Sequence, residues 1–167
     1  MKLILVRHAE AVVLGEAGAI TDYDRPLTDR GTAQAFGLAK VLTQLQVLPG
    51  LVLTSPLVRA VQTAEPIAAA LTPGTPAFVN EFLRLEELRP RKLAKAIMES
   101  GHTSAVLVGH MPDLARLAGW LLGTGATTIA FDKGAAAMIA CGKSIEKGRG
   151  ELRWLITPDW FLPITSP

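Results

Sequence analysis

Short apolar runs alternate with longer segments of helical periodicity along this chain. Residues 3–6, 51–53 and 105–108 have the length and composition of buried strands. Apolar side chains recur at helical spacing in residues 29–45 and 112–121. Alternation of this kind predicts a single-domain α/β fold in which helices cover both faces of a mostly parallel sheet, a three-layer α/β/α sandwich.

The first predicted helix has a start signal, a buried face and a long connection before it. Thr28 is a typical N-cap, and Asp29 would lie in the first turn. The side chains expected to face the core are Ala35, Leu38, Leu42 and Leu45. Residues 11–24 form the preceding loop, which is long enough to suggest a function.

The second predicted helix follows the strand at residues 51–53. Ser55 is expected as its N-cap and Pro56 as its first residue, so Arg59 would lie in the first turn. Free backbone N–H groups at a helix start favour an anion there. Pro66 falls inside the same helix, where it removes a hydrogen bond and predicts a kink.

The C-terminal part of the chain has a different pattern. Two strand-like segments, residues 135–142 and 151–158, are separated only by a charged, glycine-containing turn. This arrangement predicts an antiparallel hairpin beside the parallel strands. Phe78 and Val79 predict a further short strand at the edge of the sheet.

Composition narrows the class of protein. The 167 residues, of which 49% are hydrophobic, suit one domain over residues 1–167 with a substantial core. A net charge of +2 without runs of like charge argues against a nucleic-acid partner. No apolar stretch reaches the ~20 residues that cross a bilayer, and no signal-peptide pattern occurs, so we expect a cytoplasmic protein without a membrane partner. The single Cys141 excludes an internal disulfide, and its apolar context predicts a buried structural thiol.

Polar residues follow three predicted strands at the edge where α/β sheets bind ligands. Arg7 and His8 end the first strand, Arg59 follows the second, and His110 ends the strand at residues 105–108. An isolated Arg-His pair is usually an ordinary strand end, but three strands deliver such residues to the same edge. Arginine suits a phosphate group because its planar fork of donors is always charged. The histidines lack the spacing of a metal site, so we expect neither a metal nor a cofactor.

Five segments in order resemble the histidine phosphatase superfamily, and within it the small SixA-like phosphohistidine phosphatases. They are VRHAE (6–10), DYDRPLTDRGTAQA (22–35), TSPLVRAVQTA (54–64), VGHMPDL (108–114) and a tail of FDKGAAAMI followed by ELRWLITP. The resemblance runs nearly from end to end and implies a phosphoglycerate mutase-like fold. One departure is Ala9, where the family commonly has glycine; a methyl group is a modest change.

The resemblance implies a role for each of the four residues at the strand ends. His8 would be the nucleophile that forms a phosphohistidine intermediate, Arg7 and Arg59 the phosphate clamps, and His110 a contact to a phosphate oxygen. We expect the arginines to hold the His8 imidazole toward its neutral form. A backbone carbonyl near Ala9, or in the loop at residues 15–18, would fix its tautomer.

Two further residues have alternative interpretations. Arg25 is a candidate for the phosphate rim by resemblance, or else a surface arginine paired with Asp22 or Asp24. Glu81 follows the short strand directly and is the candidate general acid, ahead of other carboxylates in the same region, but a solvated carboxylate is an equal alternative.

Substrate chemistry favours a phosphohistidine in a signalling or phosphotransfer protein. Imidazole has a conjugate-acid pKa near ~6.5 and leaves without a strong acid, which suits a site with a doubtful acid. Only about 25 residues separate Phe78 from the strand near Ser104, too few for the helical insertions that roof the pocket in metabolite-specific relatives, so we expect a shallow, open cleft. The alternatives are a broad-specificity phosphomonoesterase for small metabolites and a non-catalytic phosphate-binding module; His8 argues against the second.

Overall fold

A six-stranded sheet organises the chain in the computed structural model, which describes residues 1–124 and 129–162. The strands are β1 (Lys2–Arg7), β2 (Leu51–Thr54), β3 (Phe78–Val79), β4 (Ser104–Gly109), β5 (Ala136–Ala140) and β6 (Glu151–Ile156). The helices are α1 (Asp29–Gln44), α2 (Val58–Leu71), α3 (Pro90–Glu99) and α4 (Asp113–Leu122). Two 3₁₀ turns span Glu81–Leu83 and Pro158–Trp160.

The strand order combines a parallel part with an antiparallel pair. The order is β3-β2-β4-β1-β5-β6, and β1, β2, β3 and β4 run parallel to their neighbours in this set. β5 is antiparallel to both β1 and β6. The predicted α/β fold, the edge strand at residues 78–79 and the C-terminal hairpin are therefore confirmed.

Each face of the sheet has its own core, and β1 contributes alternate residues to both. Leu3 and Leu5 pack on the side of α3 and α4, whereas Ile4 and Val6 pack on the side of α1 and α2. All four side chains are buried. Because successive strand residues point to opposite faces, a run of four apolar residues supplies both layers at once.

The start of α1 agrees with the sequence, but its end does not. Thr28 caps the helix, and its hydroxyl oxygen accepts from the Gly31 amide at 3.0 Å. Gly31 packs against the backbone of Glu10, where a side chain would collide with the carbonyl. The expectation that Leu45 faces the core is wrong: it lies just after the helix end and is exposed, so the buried stripe ends at Leu42.

The start of α2 also differs from the sequence prediction. The helix begins at Val58 with Leu57 as N-cap, so neither the predicted cap at Ser55 nor the predicted start at Pro56 is correct. The physical reason is that the Ser55 hydroxyl hydrogen-bonds His110, a residue remote in sequence, while Leu57 remains extended. Arg59 still lies in the first turn, and Pro66 lies inside the helix as expected.

The connection between β3 and β4 is short. This connection contains only the 3₁₀ turn at Glu81–Leu83 and α3. None of the helices in residues 1–124 and 129–162 is long and apolar enough to cross a membrane. Cys141 is buried as predicted, and burial raises the pKa of its thiol.

Candidate active site

Three strand ends bring the predicted site residues together. Arg7 pairs in register with Gly109, and Thr54 with Val108, so the residues that follow β1, β2 and β4 are neighbours. The imidazole rings of His8 and His110 have centroids 5.0 Å apart. Arg59, from the first turn of α2, is nearly fully buried and lies against His8.

Hydrogen bonds hold the backbone on both sides of His8. The His8 amide donates to the Gly109 carbonyl at 3.0 Å, and the Ala9 amide donates to the Thr63 hydroxyl at 3.0 Å. Thr63 lies one turn after Arg59 on α2, and its hydroxyl donates to the Arg59 carbonyl at 2.7 Å. The loop after β1 is thus joined directly to the helix that carries Arg59.

The His8 ring has different partners at its two nitrogens. Nδ1 lies 2.7 Å from the carbonyl oxygen of Ala9, which can only accept, so Nδ1 carries the proton. Nε2 then has a free lone pair, which accepts from Nε of Arg59 at 3.3 Å. The carbonyl that orients the ring is therefore that of Ala9, and not one from the loop at residues 15–18.

Burial keeps His8 neutral. Its exposed fraction is 8%, and burial lowers the pKa of the imidazole to about 3. The hydrogen bond to Ala9 acts in the opposite direction, and electrostatic interactions with His110, Arg59 and Arg7 lower the pKa further. The expectation that the arginines favour the neutral ring is correct in direction, but burial is the larger cause. The ring also lies deeper than expected for an open cleft.

His110 is a second buried, neutral imidazole. Burial, followed by the charge of Arg59, lowers the pKa of His110 to about 4. Its Nε2 lies 2.7 Å from the Ser55 hydroxyl oxygen. Its Nδ1 is buried and has no hydrogen-bond partner among the described residues. The Ser55 hydroxyl oxygen also accepts from the Leu57 amide. If the same hydroxyl donates its proton to His110 Nε2, the proton of the neutral ring lies on Nδ1, and Nδ1–H is a free donor.

Arg7 provides another buried donor beside the two rings. Its Nη1 donates to the Phe131 carbonyl at 2.7 Å, which holds the guanidinium in place. Its Nε is buried and unpartnered within residues 1–124 and 129–162. Buried polar groups are almost always hydrogen-bonded, so Arg7 Nε and His110 Nδ1 together indicate a place for an acceptor such as a phosphate oxygen.

Asp22 connects the loop at residues 11–24 to the cluster formed by Arg7, His8, Arg59 and His110. Arg59 donates through Nη1 to the Asp22 carbonyl at 2.5 Å and through Nη2 to its carboxylate at 2.8 Å. Arg25 donates to the other carboxylate oxygen at 2.7 Å. Partial burial on its own raises the pKa of Asp22, but the hydrogen bonds and charges of Arg25 and Arg59 lower it below its ordinary value.

Arg25 lies at the margin of the cluster, whereas within the described residues no hydrogen bond or ion pair joins the Glu81 side chain to it. Arg25 reaches the cluster through Asp22, and its Nε donates to the Val12 carbonyl. The pairing with Asp22 is one of the alternatives that the sequence left open. The Glu81 carboxylate is exposed and lies 3.8 Å from Arg84. His102 is exposed.

Sequence reasoning missed three residues that orient the cluster: Asp22, Ser55 and Thr63. Ser55 and Thr63 are fully buried polar residues, but burial is not visible in a single sequence. Thr63 had a weak signal, because it lies four residues after Arg59 and thus on the same helix face. Asp22 was expected only as a possible partner of Arg25, and no local signal linked it to Arg59.

Comparison with known proteins establishes the family. The sequence model of the histidine phosphatase superfamily (branch 1) matches residues 3–89, about half of the chain. The chain belongs to the histidine phosphatase superfamily. It is 33% identical over 98% of its length to an uncharacterized protein of Picosynechococcus sp., of which it covers 100%. It is 29% identical to the phosphohistidine phosphatase SixA of Escherichia coli, with 95% of this chain and 94% of that protein covered.

Solved structures agree with this assignment. The structure of the protein histidine phosphatase SixA complexed with tungstate has a TM-score of 0.81 at 27% identity, with 95% of this chain and 98% of that chain covered. An alpha-ribazole phosphatase from Shigella flexneri has a TM-score of 0.70 at 21% identity, covering 95% and 97%. The second likeness shows the fold alone. Fold and sequence are thus SixA-like.

The depressed imidazole pKa values predict how stability depends on pH. The folded values are about 3 for His8 and about 4 for His110, against an ordinary value of 6.5. As the pH falls below about 6.5, the unfolded chain takes up protons that the folded chain does not, so folding stability is lost. Urea unfolding between about pH 7 and pH 4.5 should therefore show a steeper loss in the wild type than in the double variant His8→Gln, His110→Gln. Equal slopes would contradict the buried, neutral state of these rings.

Proposed function

We propose that His8 is the nucleophile of a phosphatase and carries the phosphoryl group as a covalent intermediate. The observation that supports this most directly is the hydrogen bond of Nδ1 to the Ala9 carbonyl at 2.7 Å. It fixes the proton on Nδ1, so the lone pair of Nε2 is available to attack phosphorus. Because the pKa of the ring is about 3, the imidazole is neutral at any physiological pH.

The neighbouring donors suit a phosphoryl group at His8 Nε2. In this proposal Arg7 and Arg59 are the phosphate clamps, and His110 donates from Nδ1 to a phosphate oxygen. Negative charge in phosphoryl transfer spreads over three oxygens, which preorganised donors stabilise. Arg59 Nε, 3.3 Å from Nε2, would turn from the ring to an oxygen. Arg25 is a further phosphate-binding residue at the edge of the site in this proposal, and it is joined to Arg59 through Asp22.

The reaction has two steps. His8 Nε2 forms a bond to phosphorus while the bond from phosphorus to the leaving group breaks, and the leaving group takes up a proton from solvent. Water then attacks the phosphorus of phosphorylated His8 and loses a proton to solvent while the bond from phosphorus to Nε2 breaks, which releases inorganic phosphate and returns the neutral ring. The arginines supply the positive charge that these steps need, so we propose that the domain, residues 1–167, works without a metal or cofactor.

The substrate that we propose is a phosphohistidine in a signalling or phosphotransfer protein of the cytoplasm. The Glu81 carboxylate is exposed beside Arg84, so it lacks the burial that would keep a general acid protonated. A site without such an acid suits an imidazole leaving group, which departs readily. The connection from β3 to β4 holds only a 3₁₀ turn and α3, which leaves room for a large substrate. The similarity to SixA supports the same substrate class.

A side-by-side assay tests this proposal. The purified protein is given a phosphohistidine protein, a sugar phosphate and an aryl phosphate, with His8→Ala as the inactive control. We expect kcat/KM on the phosphohistidine protein to exceed that on the sugar phosphate by on the order of 10²-fold or more, because alkoxide departure lacks a well-placed acid. A preference for the sugar phosphate would favour a metabolite phosphomonoesterase. Binding without turnover would favour a non-catalytic module.

A second test concerns Glu81. Glu81→Gln should change kcat/KM on phosphohistidine by less than about twofold, because imidazole leaves readily and the carboxylate is exposed. Glu99→Gln, another exposed carboxylate that pairs with a neighbour on α3, is the matched control. An alkyl phosphate is the substrate on which an acid at position 81 would matter. A loss of about 10²-fold or more on phosphohistidine would make Glu81 an obligatory acid.

A further inference from the structure

The loop at residues 11–24 exposes large apolar side chains. Val13, Leu14, Ile20 and Tyr23 are all exposed, with Ile20 at 85% and Leu14 at 59%. Single apolar residues on a surface are ordinary. Four of them within eleven consecutive residues of one loop, called here the apolar rim, require an explanation.

Hydrogen bonds place the apolar rim beside the catalytic cluster. Asp22, directly before Tyr23 and two residues after Ile20, is bound by Arg59. The Tyr23 carbonyl accepts from the amide of Val58 at the start of α2. At the other end of the loop, the Val12 carbonyl accepts from Arg25. Both ends of the loop are thus tied to residues that contact the cluster, so the rim borders the site.

The loop has a defined conformation between these attachments. Ala19 is buried, and its carbonyl accepts from the Gly15 amide at 3.0 Å. Ala17 adopts a φ of 48°, in the left-handed region that non-glycine residues rarely occupy. The exposed side chains therefore lie on either side of a hydrogen-bonded turn.

We propose that the apolar rim docks the protein surface that surrounds the substrate phosphohistidine; this inference rests on the proposed function. A small phosphate ester would bind to the buried donors alone and would not reach the exposed apolar side chains of the loop. A protein substrate presents a surface around the phosphorylated residue, and burying apolar area against it supplies affinity.

The charges of the loop define the partner further. Glu16 and Asp24 are exposed acidic residues of the same loop. Complementary charge steers association and disfavours wrong partners. The partner surface is therefore apolar with basic side chains around the phosphohistidine, such as one face of a helix in a phosphotransfer domain.

The test compares a protein substrate with a small one. The double variant Leu14→Ser, Ile20→Ser is assayed against a panel of phosphorylated phosphotransfer domains and against free phosphohistidine. Leu48→Ser is the matched control, since Leu48 is 81% exposed and precedes β2 at the opposite sheet edge. We expect kcat/KM on the preferred domain to fall by about tenfold or more through KM, as for truncation of interface anchors. Hydrolysis of free phosphohistidine should be unchanged.

Each other outcome has a distinct meaning. Equal loss on both substrates would show that the loop acts on the catalytic cluster, and would overturn the docking role. The docking role would also be overturned if the double variant had the same kcat/KM as the control. The same holds if the wild type had no higher kcat/KM on any phosphotransfer domain than on free phosphohistidine. A wild-type dimer that Ile20→Ser dissociates, seen by light scattering, would make the rim a contact between two copies. Failure of the wild type to hydrolyse any phosphohistidine would instead contradict the proposed function.

Discussion

The register of three parallel strands is the constraint on which the rest of the structure depends. Pairing of Arg7 with Gly109 and of Thr54 with Val108 brings His8, Ser55 and His110 to one edge of the sheet. A slip of β1 by one residue would separate these side chains and also exchange its two apolar faces between the two cores. The same apolar side chains that stabilise the fold therefore also align the site.

Burial at this edge has two electrostatic effects that act together. It removes the two imidazoles from water and so keeps them neutral, with pKa values of about 3 and about 4. It also places the arginines in a medium of low polarity, where their attraction for an anion is stronger than in water. The proposed attack of His8 on a phosphate dianion needs this combination of a neutral ring and nearby cations, because the cations offset the charge that would repel a nucleophile.

Local sequence patterns predicted the parts of the fold that depend on neighbouring residues. The strands, the Thr28 cap and the hairpin were predictable because periodicity, capping and turn residues are local signals. The start of α2 was not predictable, because Ser55 binds a residue 55 positions away. The link from Asp22 to Arg59, 37 positions apart, is also long-range and depends on how a loop folds back over the sheet edge. Contacts of this kind leave no pattern in a single chain.

The most direct test of the account is to trap the phosphoenzyme. Wild-type protein is mixed with a phosphohistidine substrate, quenched in alkali, which preserves phosphohistidine, and analysed by peptide mass spectrometry. His102→Ala, which alters an exposed histidine, serves as the control beside His8→Ala. We expect an acid-labile phosphoryl group on His8 in the wild type and the control, and none in His8→Ala, which should also lose turnover. Continued turnover by His8→Ala, or a phosphoryl group on another residue, would contradict it.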